Sequence, residues 1–189
     1  MAVYNILTVF KADGFENAPH SSFNDPTGGG RHWRDEVFMI TNAGSGLTGG
    51  NATSNLHITV KPGDVINWLD TPISQGLRNK GSSPDIDIVV YGMYIPHQAS
   101  WDRGLTELKG KTQNSSHVYI TSNFDTNEEP DFQAVTFPNN ICTTTVKNVS
   151  ERVDVTYYLK VAKLDLSDSD NIKVLGWYQI DPKITILPN

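Results

Sequence analysis

The chain has 189 residues, of which 38% are hydrophobic and 19% charged, so it is long enough for a buried core and has the composition of a globular protein. Its formal net charge of -6 argues against nucleic acid as a main partner and equally against binding to anionic membrane surfaces. The sequence has one cysteine, Cys142, which excludes an intramolecular disulfide and a thiolate zinc cage.

The N-terminal segment "MAVYNILTVFKADG" has neither the basic region nor the long apolar core of a signal peptide. Apolar runs elsewhere are too short to span a membrane. We therefore expect a cytoplasmic protein with no signal peptide and no membrane insertion.

Alternating apolar residues and short runs rich in Val, Ile and aromatic side chains predict β-strands along most of the chain. The predicted strands cover residues 3–10, 37–41, 55–60, 64–69, 85–95, 117–121, 141–146, 153–164, 173–180 and 183–187. The turn "KPGD" after residue 60 predicts a β-hairpin over 55–69, and "SDSDN" predicts a second one before 173–180.

Helical periodicity is weak throughout, and the best helical candidate, around residues 101–109, is short and contains Gly104. The sequence therefore predicts an all-β fold, a jelly-roll-like antiparallel β-sandwich of about ten strands with little or no helix. Because linkers and repeats are absent from the sequence, we expect one domain over residues 1–189.

Two motifs are similar to known binding sites, but the residues around them do not fit those sites. "GSGLTG" at 44–49 has the spacing of a dinucleotide-binding loop, but a predicted strand follows it where that mechanism needs a helix. "VKPGDVINW" is similar to a turn of the blue-copper proteins, yet Cys142 is followed by three threonines with no nearby histidine to share the metal.

Acidic and amide side chains crowd the segment "SNFDTNEEPDFQ" at 122–133. Such oxygens are the ligands that Ca²⁺ prefers, although the spacing is not that of an EF-hand. The alternative is a solvated acidic loop with no ligand. The candidate calcium ligands are Asp125, Asn127, Glu128, Glu129 and Asp131, joined by Asp25 from another loop.

The long loop "FENAPHSSFNDPTGGGRHWRDE" at 15–36 and the segment "HQASWDRG" combine polar and aromatic residues. Sugar sites on β-sandwich loops pair such polar groups with an aromatic platform. The alternatives are a loop salt-bridge cluster around His32 and core packing for each tryptophan. The candidate ligand-binding residues are Asn24, Asp25, His32, Trp33, Asp35, Trp101 and Asp102.

Several segments in order resemble the AidA/PixA family of bacterial inclusion-body proteins. They are "YNILTVF", "NDPTGGG" leading to "VFMIT", "LHITVKPGDVINW", "IVVYGM" and "LGWYQIDPKITI". "NDPTG" departs slightly from the family's Asn- and Pro-rich loop. The resemblance implies an all-β sandwich, abundant expression, a tendency to oligomerise and no established catalysis, and it transfers no active-site residues.

Three functions follow from these observations. The leading hypothesis is a non-enzymatic, lectin-like protein that binds carbohydrate with Ca²⁺. The alternative is a structural or storage protein that forms intracellular inclusion bodies without a specific ligand. An enzyme using His32 with Asp35 or Glu36 has no motif to support it. In either leading case we expect a homo-oligomer, with a dimer favoured.

Overall fold

Strands dominate the structure, which is a computed structural model. It describes residues 1–11, 15, 21–28, 36–72, 86–120, 132–168 and 170–189. Within these residues the strands are, in chain order, β1 (Val3–Phe10), β2 (Thr27–Gly28), β3 (Val37–Thr41), β4 (Leu47–Gly49), β5 (His57–Val60), β6 (Val65–Pro72), β7 (Ile86–Tyr94), β8 (Lys109–Ile120), β9 (Phe132–Thr145), β10 (Val153–Thr156), β11 (Tyr158–Asp165), β12 (Lys173–Ile180) and β13 (Lys183–Ile186). One short α-helix, α1 (Gln98–Gly104), and a 3-10 turn at Gly44–Gly46 complete the described elements.

The strands form three sheets around a common core. A five-stranded sheet has the order β3-β1-β6-β9-β8, and two four-stranded sheets have the orders β10-β13-β5-β4 and β2-β12-β11-β7. This arrangement confirms the predicted all-β, sandwich-like class. The sheets are mixed rather than purely antiparallel, because β1–β6, β5–β13 and β2–β12 pair in parallel.

The predicted hairpin over residues 55–69 is wrong, since β5 and β6 belong to different sheets. Val60 pairs with Ile186 in one sheet, whereas Val65 pairs with Val3 and Thr145 in another. The turn between them is nevertheless tight. The Asp64 carboxylate accepts the amide N–H of Lys61 at 3.0 Å, so the turn carries the chain from one layer to the next instead of folding it back.

Strand boundaries follow the sequence best where one face is apolar. The predicted bounds of β1, β3 and β12 agree with the structure, and β11 and β12 form the second predicted hairpin. Strands β8 and β9 extend well beyond their predicted ranges because each pairs with the other along its polar part. The short strands β2 and β4 were not predicted.

The core lies between the sheets and is lined by the apolar face of each. Tyr157, Trp101 and Phe10 are among its largest fully buried side chains. The indole of Trp68 stacks on that of Trp101 with a centroid distance of 6.4 Å. Trp68 is buried as well, so both of these tryptophans belong to the core.

Candidate functional site

A cluster of partly exposed aromatic side chains covers the outer face of the β2-β12-β11-β7 sheet. Phe23 and Tyr94 are about half exposed, at 53% and 50%, which is unusual for such large side chains. We call this cluster the aromatic surface. Its members are Phe23, Tyr91, Tyr94, Tyr158 and Trp177, with Lys160 between them.

Strand alternation explains why these side chains point away from the core. On β11, Leu159 and Val161 are buried, so Tyr158 and Lys160 project from the opposite face. On β12, Tyr178 and Ile180 are buried. Trp177 therefore lies on the same outer face as Lys160. The pairing of β7 with β11 has a register irregularity that leaves Tyr91 without a paired residue on β11, and the Tyr91 ring contacts the Trp177 ring.

The rings are arranged in two groups that Lys160 joins. Phe23, Tyr91 and Trp177 contact one another with centroid distances of 5.0–5.6 Å. Tyr94 stacks on Tyr158 at 6.0 Å. The Lys160 Nζ lies 5.4 Å from the Phe23 centroid and 5.9 Å from that of Tyr94, so its charge faces aromatic rings on both sides.

The segment that carries Phe23 is fixed to β12 on both sides. The Ser21 hydroxyl accepts the backbone N–H of Trp177 at 2.8 Å, and β2 pairs with β12 beyond the turn. Between these two anchors, Ser22 and Asp25 exchange backbone hydrogen bonds of 3.0 and 3.1 Å. The turn thus holds Phe23 against the sheet.

Two of the predicted ligand-binding residues lie on this turn. Asn24 and Asp25 are exposed and follow Phe23 directly in the chain. An amide and a carboxylate therefore lie at the margin of the aromatic surface, where they can donate and accept hydrogen bonds. Tyr91 differs from them: within the described residues its buried hydroxyl has no hydrogen-bond partner, and burial raises the pKa of Tyr91.

The prediction that Trp101 is an exposed platform is wrong. Its side chain is 1% exposed, and its Nε1 donates a 3.0 Å hydrogen bond to the Thr106 carbonyl. The polar neighbours in "HQASWDRG" suggested exposure, but α1 turns the tryptophan inward. Asp102 on the same helix is exposed and accepts a 2.7 Å hydrogen bond from Gln98.

Several other candidates lie outside the described residues. They are His32, Trp33, Asp35, Asp125, Asn127, Glu128, Glu129 and Asp131. Among the residues that are described, no group of three or more His, Cys, Asp or Glu side chains could hold a metal ion. The Glu36 carboxylate forms an ion pair with the Lys11 Nζ at 3.1 Å.

Sequence reasoning missed the aromatic surface, because its members come from four separate segments: the turn that carries Phe23, and the strands β7, β11 and β12. The available signal was the alternation "YYLKV" on β11 and "GWYQI" on β12, which placed an aromatic residue on the outer face of each strand. Only the pairing of β7, β11 and β12 shows that these faces adjoin.

Comparison with known proteins places the chain in context. A family model described as "PixA: Inclusion body protein" matches residues 3–186. The crystal structure of an inclusion body protein (PixA) from Burkholderia cenocepacia J2315 superposes with a TM-score of 0.62 at 13% sequence identity, covering 100% of this chain and 96% of the other. No curated protein sequence matches the chain. In the described part of the chain, no helix has the length and apolar character needed to cross a membrane.

Proposed function

Because this chain belongs to the PixA family of inclusion body proteins, we propose that it is a structural protein whose copies associate through the aromatic surface into intracellular inclusion bodies. The role is non-enzymatic and needs no small-molecule ligand. A face-to-face dimer is the first step of assembly, since an apolar patch on one copy is complementary to the same patch on the next.

The observation that carries this proposal is the exposure of Phe23, on the turn before β2, and of Tyr94, on β7. Contiguous exposed apolar groups on a folded protein usually mark an interaction site. Aromatic side chains lose little conformational entropy on association and are enriched at protein interfaces. Burial of these two rings between copies removes them from water, and hydrophobic stabilisation scales with the apolar area buried.

A double variant, Phe23→Ser with Tyr94→Ser, tests the proposal. Both side chains are half exposed, so we expect the fold to survive their removal. The matched control is Val3→Ser with Ile40→Ser, which removes apolar side chains of similar exposure from the other face of the molecule, on β1 and β3.

The readouts are sedimentation of the purified proteins over a concentration series and microscopy of expressing cells. We expect the concentration needed for association to rise about tenfold or more for the aromatic variant, and inclusion bodies to disappear. Association of the aromatic variant at the same concentration as the control would contradict the proposal.

Carbohydrate binding is the second candidate, and one observation favours it. Asn24 and Asp25 are exposed and follow the exposed Phe23 in the chain, and proteins bind sugars by combining such hydrogen-bonding groups with an aromatic face. Titration calorimetry against a panel of sugars, with and without Ca²⁺, tests it. Binding that is lost in Asn24→Ala with Asp25→Ala, while association is retained, would separate this function from assembly.

A further inference from the structure

A cavity of about 560 Å³ lies between the five-stranded sheet and the strand β7 of the opposing sheet. Its size falls within the range of pockets that bind small molecules. One side is formed by β1, β6, β8 and β9, and the other side by β7 and β11. Tyr91 belongs to both the cavity lining and the aromatic surface, whereas the exposed rings of Phe23 and Tyr94, which carry the proposed assembly, are not part of the lining.

Strand order and glycine together leave this space open. Strand β7 contacts β6, whereas the five-stranded sheet continues past β6 to β9 and β8. Gly110 on β8 pairs with Cys142 on β9 and has no side chain to fill the gap. A Cβ atom at Gly110 would meet no atom within 4 Å.

The lining is chiefly apolar, and it carries no charged side chain among the described residues. Its largest apolar contributors include Trp68, Met93, Ile141 and Leu159. Apolar surface left open to water is unfavourable, and a ligand that covers it gains free energy in proportion to the area covered.

A few polar groups on the lining could orient such a ligand. Thr8 and Thr112 contribute hydroxyls, and Cys142 contributes a thiol. Burial raises the pKa of the Cys142 thiol, so the group is neutral and adds no charge to the cavity. Tyr91 also lines the cavity. Among the residues that the structure describes, its buried hydroxyl has no hydrogen-bond partner, and a ligand that supplied one would relieve the cost of that unpaired group.

From this lining and volume we propose that the cavity binds an uncharged, largely apolar small molecule with one or two hydrogen-bonding groups. A charged ligand would lose its hydration in the cavity without meeting an opposite charge. A sugar would find too few polar partners there for its many hydroxyls. The proposal is independent of self-association and of carbohydrate binding.

The first test uses N-phenyl-1-naphthylamine, a neutral apolar dye that fluoresces when it leaves water. We expect saturable binding to the wild-type protein. Gly110→Leu should fill the cavity and weaken binding about tenfold or more. The matched control is Gly49→Leu, at a strand glycine outside the cavity whose Cβ would also meet no atom within 4 Å.

The second test needs no substitution and therefore does not depend on Gly110→Leu folding. Cys142 is the single cysteine of the sequence and lines the cavity, so N-ethylmaleimide should label it alone. Saturating dye should slow this labelling about tenfold. Binding that is also unchanged in the Phe23→Ser, Tyr94→Ser variant would show that the dye does not depend on these two exposed rings.

Three outcomes would overturn the proposal. They are absence of saturable dye binding, equal affinity in the folded Gly110→Leu variant, and labelling of Cys142 at the same rate with and without dye. Circular dichroism of each variant establishes that the compared proteins are folded.

Discussion

The indole Nε1 of Trp68 donates a 2.8 Å hydrogen bond to the hydroxyl of Tyr157 within the core. The Tyr157 ring meets that of Trp68 edge-on at 5.4 Å, and Tyr157 is only 1% exposed. Burial raises the pKa of Tyr157, so the phenol is neutral and available as a partner at ordinary pH. The two residues, far apart in sequence, thus join β6 to the segment between β10 and β11.

Tyr157→Phe should reduce the free energy of unfolding by about 1–3 kcal/mol, because the indole N–H of Trp68 would remain buried without an acceptor. Urea denaturation followed by tryptophan fluorescence measures the change. Tyr158→Phe is the matched control, since the Tyr158 hydroxyl makes no hydrogen bond within the described part of the chain, and it should change stability by less than about 0.5 kcal/mol. Equal effects of the two substitutions would contradict the role assigned to the bond.

Alanine substitutions at Gly50 and Gly63 should differ sharply. Both glycines have positive φ, +68° and +86°, which alanine adopts at a cost of about 1–2 kcal/mol. At Gly63 a Cβ would meet nothing within 4 Å, whereas at Gly50 it would lie 2.1 Å from the Asn55 carbonyl oxygen. We therefore expect Gly63→Ala to cost only the backbone strain and Gly50→Ala to cost about 2 kcal/mol more, because backbone must move.

Thermal and urea melts of the two glycine variants, measured side by side, give the comparison. A Gly50→Ala protein as stable as Gly63→Ala would mean that the turn at residues 50–53 can open without loss. That result would contradict the hydrogen bonds that Thr53 donates to the Gly50 carbonyl from its backbone N–H and its hydroxyl, at 3.1 and 2.7 Å.

Asp154 should make the fold sensitive to acid. Its carboxylate accepts hydrogen bonds from the Thr185 hydroxyl at 2.6 Å and from Arg152 at 3.1 Å, and these hold the pKa of Asp154 below its ordinary value. A carboxyl group with a lowered folded-state pKa stabilises the fold above the unfolded-state pKa and loses that contribution as pH falls through the folded-state pKa.

Asp154→Asn should therefore give a shallower loss of stability on acidification, with the difference appearing below about pH 4. Urea midpoints measured between about pH 6 and pH 3 test this expectation. Asp170→Asn, at an exposed carboxylate in the turn after β11, is the control. If the urea midpoint of Asp154→Asn fell with pH as steeply as that of the wild-type protein, Asp154 would not be the source of the acid sensitivity.

The calcium site at residues 125–131 stays a prediction from the sequence, and a thermal melt in chelator, in Ca²⁺ and in Mg²⁺ would test it. A ligand at a hundredfold excess over its Kd stabilises the fold by about 2.7 kcal/mol. We expect Ca²⁺ to raise Tm and Asp125→Asn with Asp131→Asn to remove the rise, whereas Glu107→Gln, at an exposed side chain, should retain it. A rise that persists in the double variant would place the ion elsewhere.

Local patterns predicted β1, β3 and β12 well, because each strand alternates between a buried and an exposed face. They could not show that β5 and β6 lie in different sheets, because a tight turn at residues 61–64 suits either a hairpin or a crossing between layers.

The candidate site was harder to predict than the strands. Trp101 lies among polar neighbours in the sequence, and only its packing against Trp68 and its bond to Thr106 show that it is buried. The reverse holds for Phe23, Tyr91 and Trp177, whose proximity depends on pairings between distant strands. In both cases the deciding contacts join residues that the local sequence cannot relate.

Strand β13 lies between β10 and β5, and its partners come from distant parts of the chain. The His57 ring and the Thr185 hydroxyl, 2.8 Å apart across this sheet, are separated by 128 positions. Bringing such distant segments together costs conformational entropy before their contacts form, and this cost slows folding. Until β13 docks, β5 and β10 each present an open edge that a second chain can pair with. Newly made chains at high concentration therefore have a kinetic route to association that the finished fold removes.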